Sequence, residues 1–303
     1  MPLPSEYLTY PFRKHGFDHE HFPWTPNTQR PALKLKSGAK VAAFIIVPLE
    51  FFPLNPPADP FKHPGAMKTP YPDLRHYTTR DYGNRVGVFR ILKALTARDV
   101  QATFAVNAEV SERYPSLIRA IEDAGHEIAA HGVSTAHIHH DGLSVEDERA
   151  LIARARSALP SANTWLSPAR NESYRTPELL AEAGYEVLLD WEADQRPLAF
   201  HTPTGALTAL PLMHELSDFK LMVDNRQQAD HWADQILEAA RFHVSDHDRA
   251  GAQCFGFTLT PYVVGQPFRI HALERLIASL AGMDGLELST ASALPSRFEK
   301  ETS

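Results

Sequence analysis

Short, largely apolar runs alternate with longer amphipathic segments along most of this chain, and no other feature constrains the fold as strongly. Strand-like runs include VAAFIIVPL (41–49), QATFAV (101–106) and GHEIAAHG (125–132), whereas 84–98 and 270–281 carry apolar residues at helical spacing. Strands that are apolar on both faces are typical of parallel sheets covered by helices. About seven such units in 303 residues predict an α/β fold and favour a closed, distorted (β/α)7–8 barrel over an open sheet.

The first 36 residues lack this rhythm and are rich in proline and aromatic side chains. We predict an N-terminal arm over residues 1–36, lying on the surface or on a neighbouring subunit, and one barrel domain over 37–303. The arm and the loop segment PYVVGQPFR (261–269) together indicate a homo-oligomer.

Composition excludes several functional classes. A formal net charge of −7 argues against a nucleic-acid surface or a basic membrane patch. No apolar run is long enough to span a bilayer, and the N-terminus lacks the continuous apolar core of a secretory signal. Cys254 is the single cysteine and sits in the apolar stretch CFGFTL, so we predict a buried structural thiol and no disulfide. A cytoplasmic protein with a small-molecule substrate, and without a nucleic-acid or membrane partner, is expected.

Polar side chains at the predicted strand ends are the first candidates for a site, because barrel enzymes place their chemistry at the carboxyl ends of the strands. Glu50 ends the first apolar run, where a lone buried acid is costly unless it is paired. The positions at or just past strand ends are Glu50, Asn107, His131, Pro168, Trp191 and Thr260.

The stretch EIAAHGVSTAHIHHDG (127–142) concentrates four histidines. His131 follows a strand directly, and we predict that it belongs to a functional site. His137, His139 and His140 precede the turn signal DGLS and are predicted to be loop residues. His137 nevertheless lies only six residues from His131, across a Gly-Val-Ser-Thr turn, so it stays a candidate ligand.

Seven segments, in this order, resemble the polysaccharide deacetylase family, whose NodB-type domain is a distorted (β/α) barrel. The likeness covers most of residues 40–295 and is closest to the branch that includes the cofactor-independent allantoinases. The segments are VPLEFF (47–52), RDYGNRVGVFR (80–90), ATFAVN (102–107), GHEIAAHG (125–132), WLSPARNES (165–173), GYEVLLDW (184–191) and PYVVGQPFR (261–269).

This resemblance exposes a departure at the metal site. Metal-dependent family members use an aspartate pair after the first strand, a histidine with a second histidine four residues on, and a late Leu-His. Here Glu50 is the single acid, His131 matches the first histidine, and Thr135 and Thr260 stand at the other two positions. Two ligands fall short of the usual three. We therefore expect no cofactor, or a weakly bound divalent cation (Zn, Mn or Ni) on Glu50, His131 and His137.

Further candidates come from the same segments. Arg80, Tyr82 and Arg85 resemble a family segment that presents an arginine to the site, and Arg80 or Arg85 is the expected partner of Glu50. The alternative for these residues is a charged helix start on the surface. The remaining candidates have structural alternatives that stay open: Trp165, Pro168 and Trp191 as walls of a substrate site, Asp190 as a group that orients a base, and Asp194 as a family-like acidic position.

The leading functional hypothesis is a hydrolase that acts on a carbon–nitrogen bond, other than a peptide bond, of a small amide, ureide or N-acyl substrate. Glu50 or His131 would position and deprotonate water, and an arginine or a cation would stabilise the oxyanion. Without the late histidine, slow turnover or a changed leaving-group strategy is expected. Two alternatives stay open: a catalytically silent barrel that binds a small molecule or a partner, because of Thr135 and Thr260, and a metallo-deacetylase that uses a displaced histidine.

Overall fold

Nine strands form one curled sheet in the computed structural model, which describes residues 19–55 and 72–299. Their order is β6-β7-β5-β4-β3-β2-β1-β8, and β9 pairs beside this path with β1. The strands are β1 (Val41–Leu49), β2 (Thr103–Val106), β3 (Glu127–Ala130), β4 (Thr164–Trp165), β5 (Val187–Leu188), β6 (Leu198–Thr202), β7 (Gly205–Ala209), β8 (Gln253–Thr258) and β9 (Leu286–Ser289).

Strand β1 lies at the centre of this sheet and is buried along its whole length. It runs parallel to β8 on one side. On the other side its first half, from Val41 to Phe44, pairs with β9, and its second half, from Ile46 to Leu49, pairs with β2. Burial on both faces accounts for the unbroken apolar run that predicts this strand.

The sheet closes into a barrel through a single parallel bridge between Leu212 and Gly256. Strands β4 and β5 have only two residues each, and β6 is antiparallel to β7. The predicted distorted α/β barrel is confirmed. Sequence patterns miss β6, because its side chains are mostly exposed and carry no apolar run.

Nine α-helices flank the described part of the sheet, and two π-helical turns, Gly83–Gly87 and Phe219–Asp224, interrupt the helical stretches. The helices are α1 (Leu74–Tyr82), α2 (Val88–Thr96), α3 (Ala108–Arg113), α4 (Pro115–Asp123), α5 (Val145–Ala158), α6 (Thr176–Glu182), α7 (Ala229–Ala250), α8 (Ile270–Ala281) and α9 (Leu294–Arg297).

Helix boundaries agree with sequence signals where capping chemistry is strong. Helix α5 begins with a side-chain cap, in which the Ser144 hydroxyl accepts from the Asp147 backbone NH at 3.0 Å. Helices α3 and α4 are separated by a proline signal. Pro115 stands at the first position of α4 and separates it from α3, since the residue before a proline is disfavoured in helical conformation.

Alternate residues of the strands face opposite layers. Ala42, Phe44 and Ile46 of β1 belong to an inner cluster that fills the barrel, whereas Val41 and Ala43 pack under the helices. The inner cluster includes Cys254, whose burial raises the pKa of its thiol, as expected for a structural cysteine. Because the interior is filled, any site must lie at the barrel mouth.

The described part of the N-terminal segment, residues 19–36, lies on the barrel. Leu33 and Leu35 form bridges to Gly251 and Phe298, and the His201 backbone NH donates to the His21 carbonyl at 2.8 Å. The rest of the predicted arm, residues 1–18, is outside the described residues. Among the described helices, none combines the length and the apolar character needed to cross a membrane.

Candidate active site

Strand parity brings three polar side chains together at the mouth of the barrel. Glu50 follows the inward residues of β1 at the same two-residue spacing, as Asn107 does after β2 and His131 after β3. These three strands are neighbours in the parallel sheet, so their carboxyl ends meet at one edge. The sequence therefore predicts this convergence correctly for Glu50 and His131.

Glu50 is held by a cation and a phenol. The Arg80 Nε atom lies 3.2 Å from Glu50 Oε2, and the Tyr262 hydroxyl donates to the same oxygen at 3.4 Å. The guanidinium of Arg80 sits 5.2 Å from the centre of the Phe52 ring and 5.0 Å from that of Tyr262. Burial, with the Glu50 charge next, raises the pKa of Tyr262, so the phenol keeps its proton and remains a donor. Glu50 is thus an oriented carboxylate with its charge compensated.

His131 has a defined tautomer. Its Nδ1 atom lies 2.8 Å from the Leu166 carbonyl oxygen. Because a carbonyl can only accept, Nδ1 must carry the hydrogen, and Nε2 of the neutral ring has a free lone pair. That lone pair faces Glu50, with Nε2 3.9 Å from Oε1. The ring is buried, so it is available as a base or as a ligand only toward the mouth.

Asparagines brace the ends of the three strands. Asn107 accepts from the Phe51 backbone NH at 2.9 Å and donates to the His131 carbonyl. Asn84, in the π-helical turn after α1, donates to the Glu50 carbonyl at 2.9 Å. Sequence reasoning places Asn107 at a strand end without a role and misses Asn84 and Tyr262, although Tyr262 lies in the family-like segment PYVVGQPFR.

The other three histidines of the 127–142 stretch point elsewhere. His137 Nδ1 lies 2.7 Å from the Ser134 hydroxyl, and its charged surroundings are Glu109 and Arg154. His139 contacts Glu148 in the layer behind the strand, with Nδ1 3.2 Å from Oε1. His140 accepts from the Gly142 backbone NH at 3.0 Å. His137, His139 and His140 therefore lie in a loop, as predicted.

Several predicted site residues lie outside the mouth. Trp165 is buried in the outer core layer, because its parity on β4 directs it toward the helices. Tyr82 accepts from Arg90 at 2.6 Å. Arg85 is 66% exposed and pairs with Asp81 on the surface, so Arg80 alone of the two arginines contacts Glu50. These three side chains lie away from Glu50 and His131, and contact between them and substrate stays a prediction.

The residues after β4 and β5 form one flank of the mouth. Pro168 packs against Gly132, and Ala169 and Arg170 both have positive φ, 56° and 53°, a strained conformation for side-chain-bearing residues. The indole NH of Trp191 donates to Glu172 at 2.8 Å. The ring of Trp191 is covered by the aromatic side chains of the N-terminal segment, His19, His21 and Phe22. The N-terminal segment therefore covers one side of the Trp191 ring, and its role as a wall of a substrate site stays a prediction.

Asp190 and Asp194 have separate environments. Both oxygens of Asp190 accept from the Ser167 backbone NH at 3.0 Å. Asp194 instead forms an ion pair with Arg30 of the N-terminal segment. A cavity of about 380 Å³ lies beside this ion pair, and it is not lined by Glu50 or His131. Asp190, unlike Asp194, is therefore bonded to the segment just after β4, whose Leu166 carbonyl accepts from His131.

Comparison with known proteins identifies the domain. A polysaccharide deacetylase family model matches residues 69–188, from the segment before α1 to the end of β5. This part of the chain is therefore similar to a polysaccharide deacetylase domain. The resemblance drawn from the sequence motifs is thereby confirmed, although no curated protein matches the chain.

Three solved structures share the fold of this chain. A protein assigned to the polysaccharide deacetylases of Pseudomonas aeruginosa PAO1 is 20% identical with a TM-score of 0.75, and the match covers 86% of this chain and 91% of that one. Puue allantoinase is 20% identical with a TM-score of 0.73, over 95% and 97% of the two chains. A protein of Mycobacterium smegmatis assigned to the same family is 22% identical with a TM-score of 0.71, over 93% and 100%.

The two threonines at the positions of the expected histidines, Thr135 and Thr260, form hydrogen bonds within the protein. The Thr135 hydroxyl donates to the Phe51 carbonyl at 2.9 Å. The Thr260 hydroxyl and backbone NH donate to the two oxygens of Asp218 at 2.8 and 2.7 Å. Asp218, which the sequence does not reveal, is completely buried, and burial raises its pKa to about 7. Both threonine hydroxyls therefore donate to groups of the protein itself.

A divalent cation is the group that the family implies, and the donors of this domain fit it poorly. Glu50 and His131 Nε2 are two donors, and no cluster of three histidine, cysteine or carboxylate groups exists among the described residues. The predicted set of Glu50, His131 and His137 is not formed, because His137 turns to Ser134. Arg80 also supplies positive charge to Glu50 already. A tightly held catalytic cation needs three protein ligands, so these residues do not fit one.

Proposed function

We propose that this protein hydrolyses a carbon–nitrogen bond in a small amide, ureide or N-acyl compound. The observation that carries the proposal is the Glu50–His131 pair. A carboxylate and an imidazole lone pair face each other across 3.9 Å at the carboxyl end of a parallel barrel, each fixed by its own partners. This is the arrangement that a water-activating site requires.

In the proposed reaction, His131 is the general base. A water held between Glu50 and Nε2 gives a proton to His131 while its oxygen forms a bond to the substrate carbonyl carbon. The carbon–nitrogen bond then breaks, and the proton on His131 passes to the leaving nitrogen, so the charges balance. Glu50 orients the water and stabilises the imidazolium that forms, as a carboxylate does beside a catalytic histidine.

Arg80 and Tyr262 support this role of Glu50. Arg80 is 6% exposed and enclosed by two aromatic rings, so its charge acts on the mouth without leaving its place. A fixed positive charge in a water-poor site favours the negative charge that develops on the substrate oxygen. We therefore propose that Arg80 stabilises the oxyanion through its fixed charge and from its place beside Glu50, without direct contact with the substrate oxygen.

The fold and the charge of the chain support this substrate class. An allantoinase shares the fold over 95% of this chain, which supports a ureide among the candidate substrates. A net charge of −7 also favours a small metabolite over a polyanion.

The test is a hydrolysis panel with matched variants. Wild-type protein is incubated with allantoin, formamide, and N-acetyl and N-formyl amino acids, and ammonia or carboxylate release is measured with and without a chelator. We expect turnover on at least one member, reduced about 100-fold or more in His131→Asn and Glu50→Gln. His231→Gln and Glu238→Gln, on the exposed side of α7, are controls that should retain the wild-type rate.

Two outcomes would contradict this account, the first its proposed activity and the second its metal-free mechanism. Absence of turnover across the panel would favour a silent small-molecule-binding barrel. Chelator-sensitive turnover, with a bound metal lost in His131→Asn, would show a metallo-deacetylase completed by a further ligand. Metal content of the same samples separates the two results.

A further inference from the structure

One peptide group joins His131 to a second acidic site. The carbonyl of the Leu166–Ser167 peptide accepts from His131 Nδ1 at 2.8 Å. The NH of that same peptide donates to both oxygens of Asp190 at 3.0 Å. The imidazole NH of His131 therefore donates to the peptide carbonyl, and the NH of the same peptide donates to the Asp190 carboxylate. Hydrogen bonds in such a chain polarise one another, so each strengthens the next.

Asp190 lies beside a second carboxyl group, that of Glu172. Trp191 Nε1 donates to Glu172 Oε2 at 2.8 Å, and a side-chain hydrogen bond joins Glu172 to Asp190. Burial, followed by the charge of Asp190, raises the pKa of Glu172 well above its ordinary value. Burial raises the pKa of Asp190 as well, but the hydrogen bond from the Ser167 backbone NH opposes that rise and favours charge on Asp190. Glu172 therefore carries the proton of the pair.

We propose that Asp190 is a positioning residue that keeps the Nε2 lone pair of His131 directed at Glu50, acting through the Leu166–Ser167 peptide. A carboxylate on the peptide NH makes the peptide carbonyl a stronger acceptor, and this carbonyl selects the Nδ1–H form of the ring. Glu172 contributes by holding the shared proton, which leaves the charge on Asp190. The expected effect of Asp190 on kcat rests on the proposed hydrolase function, whereas its effect on the His131 tautomer does not.

The geometry separates this role from simple packing. Asp190 contacts neither His131 nor Glu50 in any hydrogen bond or ion pair of the described residues, so it can influence them only through the peptide. Asp190→Asn keeps the size and one acceptor oxygen for the Ser167 NH, but it removes the charge. Glu172→Gln replaces a group that is already neutral. A structural role predicts comparable effects of the two variants, whereas positioning predicts a large effect only for Asp190→Asn.

The experiment combines nitrogen NMR of histidine-labelled protein with kinetics. The His131 signal is assigned by its loss in His131→Gln, and in the wild type it should report the Nδ1–H tautomer. In Asp190→Asn we expect loss of the single tautomer and a kcat lowered about 10- to 100-fold with KM changed less than about 2-fold. In Glu172→Gln, Asp190 keeps its charge, so the Nδ1–H tautomer of His131 should be retained. Asp234→Asn, on the exposed face of α7, is the matched control.

The tautomer is readable without turnover, so failure of this inference and failure of the proposed function are distinguishable. An Nε2–H tautomer in the wild type overturns the inference even if Asp190→Asn does not fold. An unchanged tautomer and kcat in a folded Asp190→Asn protein overturn it as well. A correct tautomer that depends on Asp190, in a protein without activity on the panel, would uphold the positioning and reject the hydrolase.

Discussion

At the level of single residues, the positive charge of Arg80 stabilises the buried carboxylate of Glu50. Both side chains are largely buried, with 16% of Glu50 and 6% of Arg80 exposed. A buried carboxylate without a counter-ion is strongly destabilising, whereas a surface ion pair contributes little. Arg80 and Arg85 of the same helical stretch differ in this respect and allow a matched comparison.

Arg80→Gln is therefore predicted to lower the free energy of unfolding by about 3 kcal/mol, because it removes the cation beside the buried carboxylate of Glu50. Arg85→Gln breaks an exposed pair with Asp81 and should cost less than about 1 kcal/mol. Urea denaturation of both variants at pH 7 gives the two values. Equal losses would show that Glu50 does not rely on Arg80.

Asp218 should impose a pH dependence on stability. Its pKa is raised from 3.8 to about 7 in the folded state by burial, so the native protein holds this proton where the unfolded chain has released it. The native state then binds more protons between about pH 4 and 7, and its stability falls as the pH rises across that window, by at most about 1.4 kcal/mol per pH unit. Asp218→Asn is always neutral and lacks this contribution.

The measurement is urea unfolding of the wild type and Asp218→Asn from pH 4.5 to 8. The difference in unfolding free energy, wild type minus variant, should decrease up to about pH 7 and then level off. A difference that is constant with pH would contradict a raised pKa at Asp218.

At the scale of the element, close packing of the strand ends shapes the flank of the mouth. Gly132, directly after His131, has a φ of +62°, and a Cβ atom there would lie 2.5 Å from Pro168 Cγ. Gly184 has a similar φ of +80° with open space around it. The two glycines therefore separate backbone strain from steric overlap.

Gly184→Ala is predicted to cost about 1 kcal/mol, because only the left-handed backbone conformation opposes the new methyl group. Gly132→Ala adds overlap with the rigid Pro168 ring and should cost about 1–3 kcal/mol more. Thermal or urea unfolding of both variants measures the difference. Equal losses of unfolding free energy would mean that Pro168 can move away from a Cβ atom at position 132 at little cost.

Sequence patterns predict the elements and the residues whose position follows from strand parity. Glu50 and His131 are found in this way, since each ends a strand whose inward residues are apolar. Arg80 and Arg85 cannot be told apart, because the π-helical turn between α1 and α2 alters the helical register. Tyr262 and Asp218 are missed, because their partners Glu50 and Thr260 are distant in sequence and only the closed barrel brings them together.

At the scale of the whole molecule, large apolar side chains remain on the surface of the described chain. Phe268, in the PYVVGQPFR loop, is 74% exposed, and Phe242, on α7, is 56% exposed. An exposed aromatic in a loop of this kind supports the expectation of a homo-oligomer, since such residues are frequent in subunit contacts.

We accordingly predict a solution mass that is a multiple of 33.8 kDa. Phe268→Glu should shift the protein toward the monomer, and Phe242→Glu should not, because only the loop residue is placed in the contact. Light scattering after size-exclusion chromatography measures both masses. A monomeric wild type, or equal shifts in the two variants, would exclude this contact.

The central claim is that Glu50 and His131 act as one unit on a single water molecule. A double-mutant cycle of kcat/KM with Glu50→Gln, His131→Asn and the combined variant tests it most directly. Residues that act as a unit are not additive, so each single variant should lose about 100-fold or more and the double variant should lose no more than the worse single one. Losses that multiply in the double variant, or single variants that keep the wild-type rate, would contradict the claim.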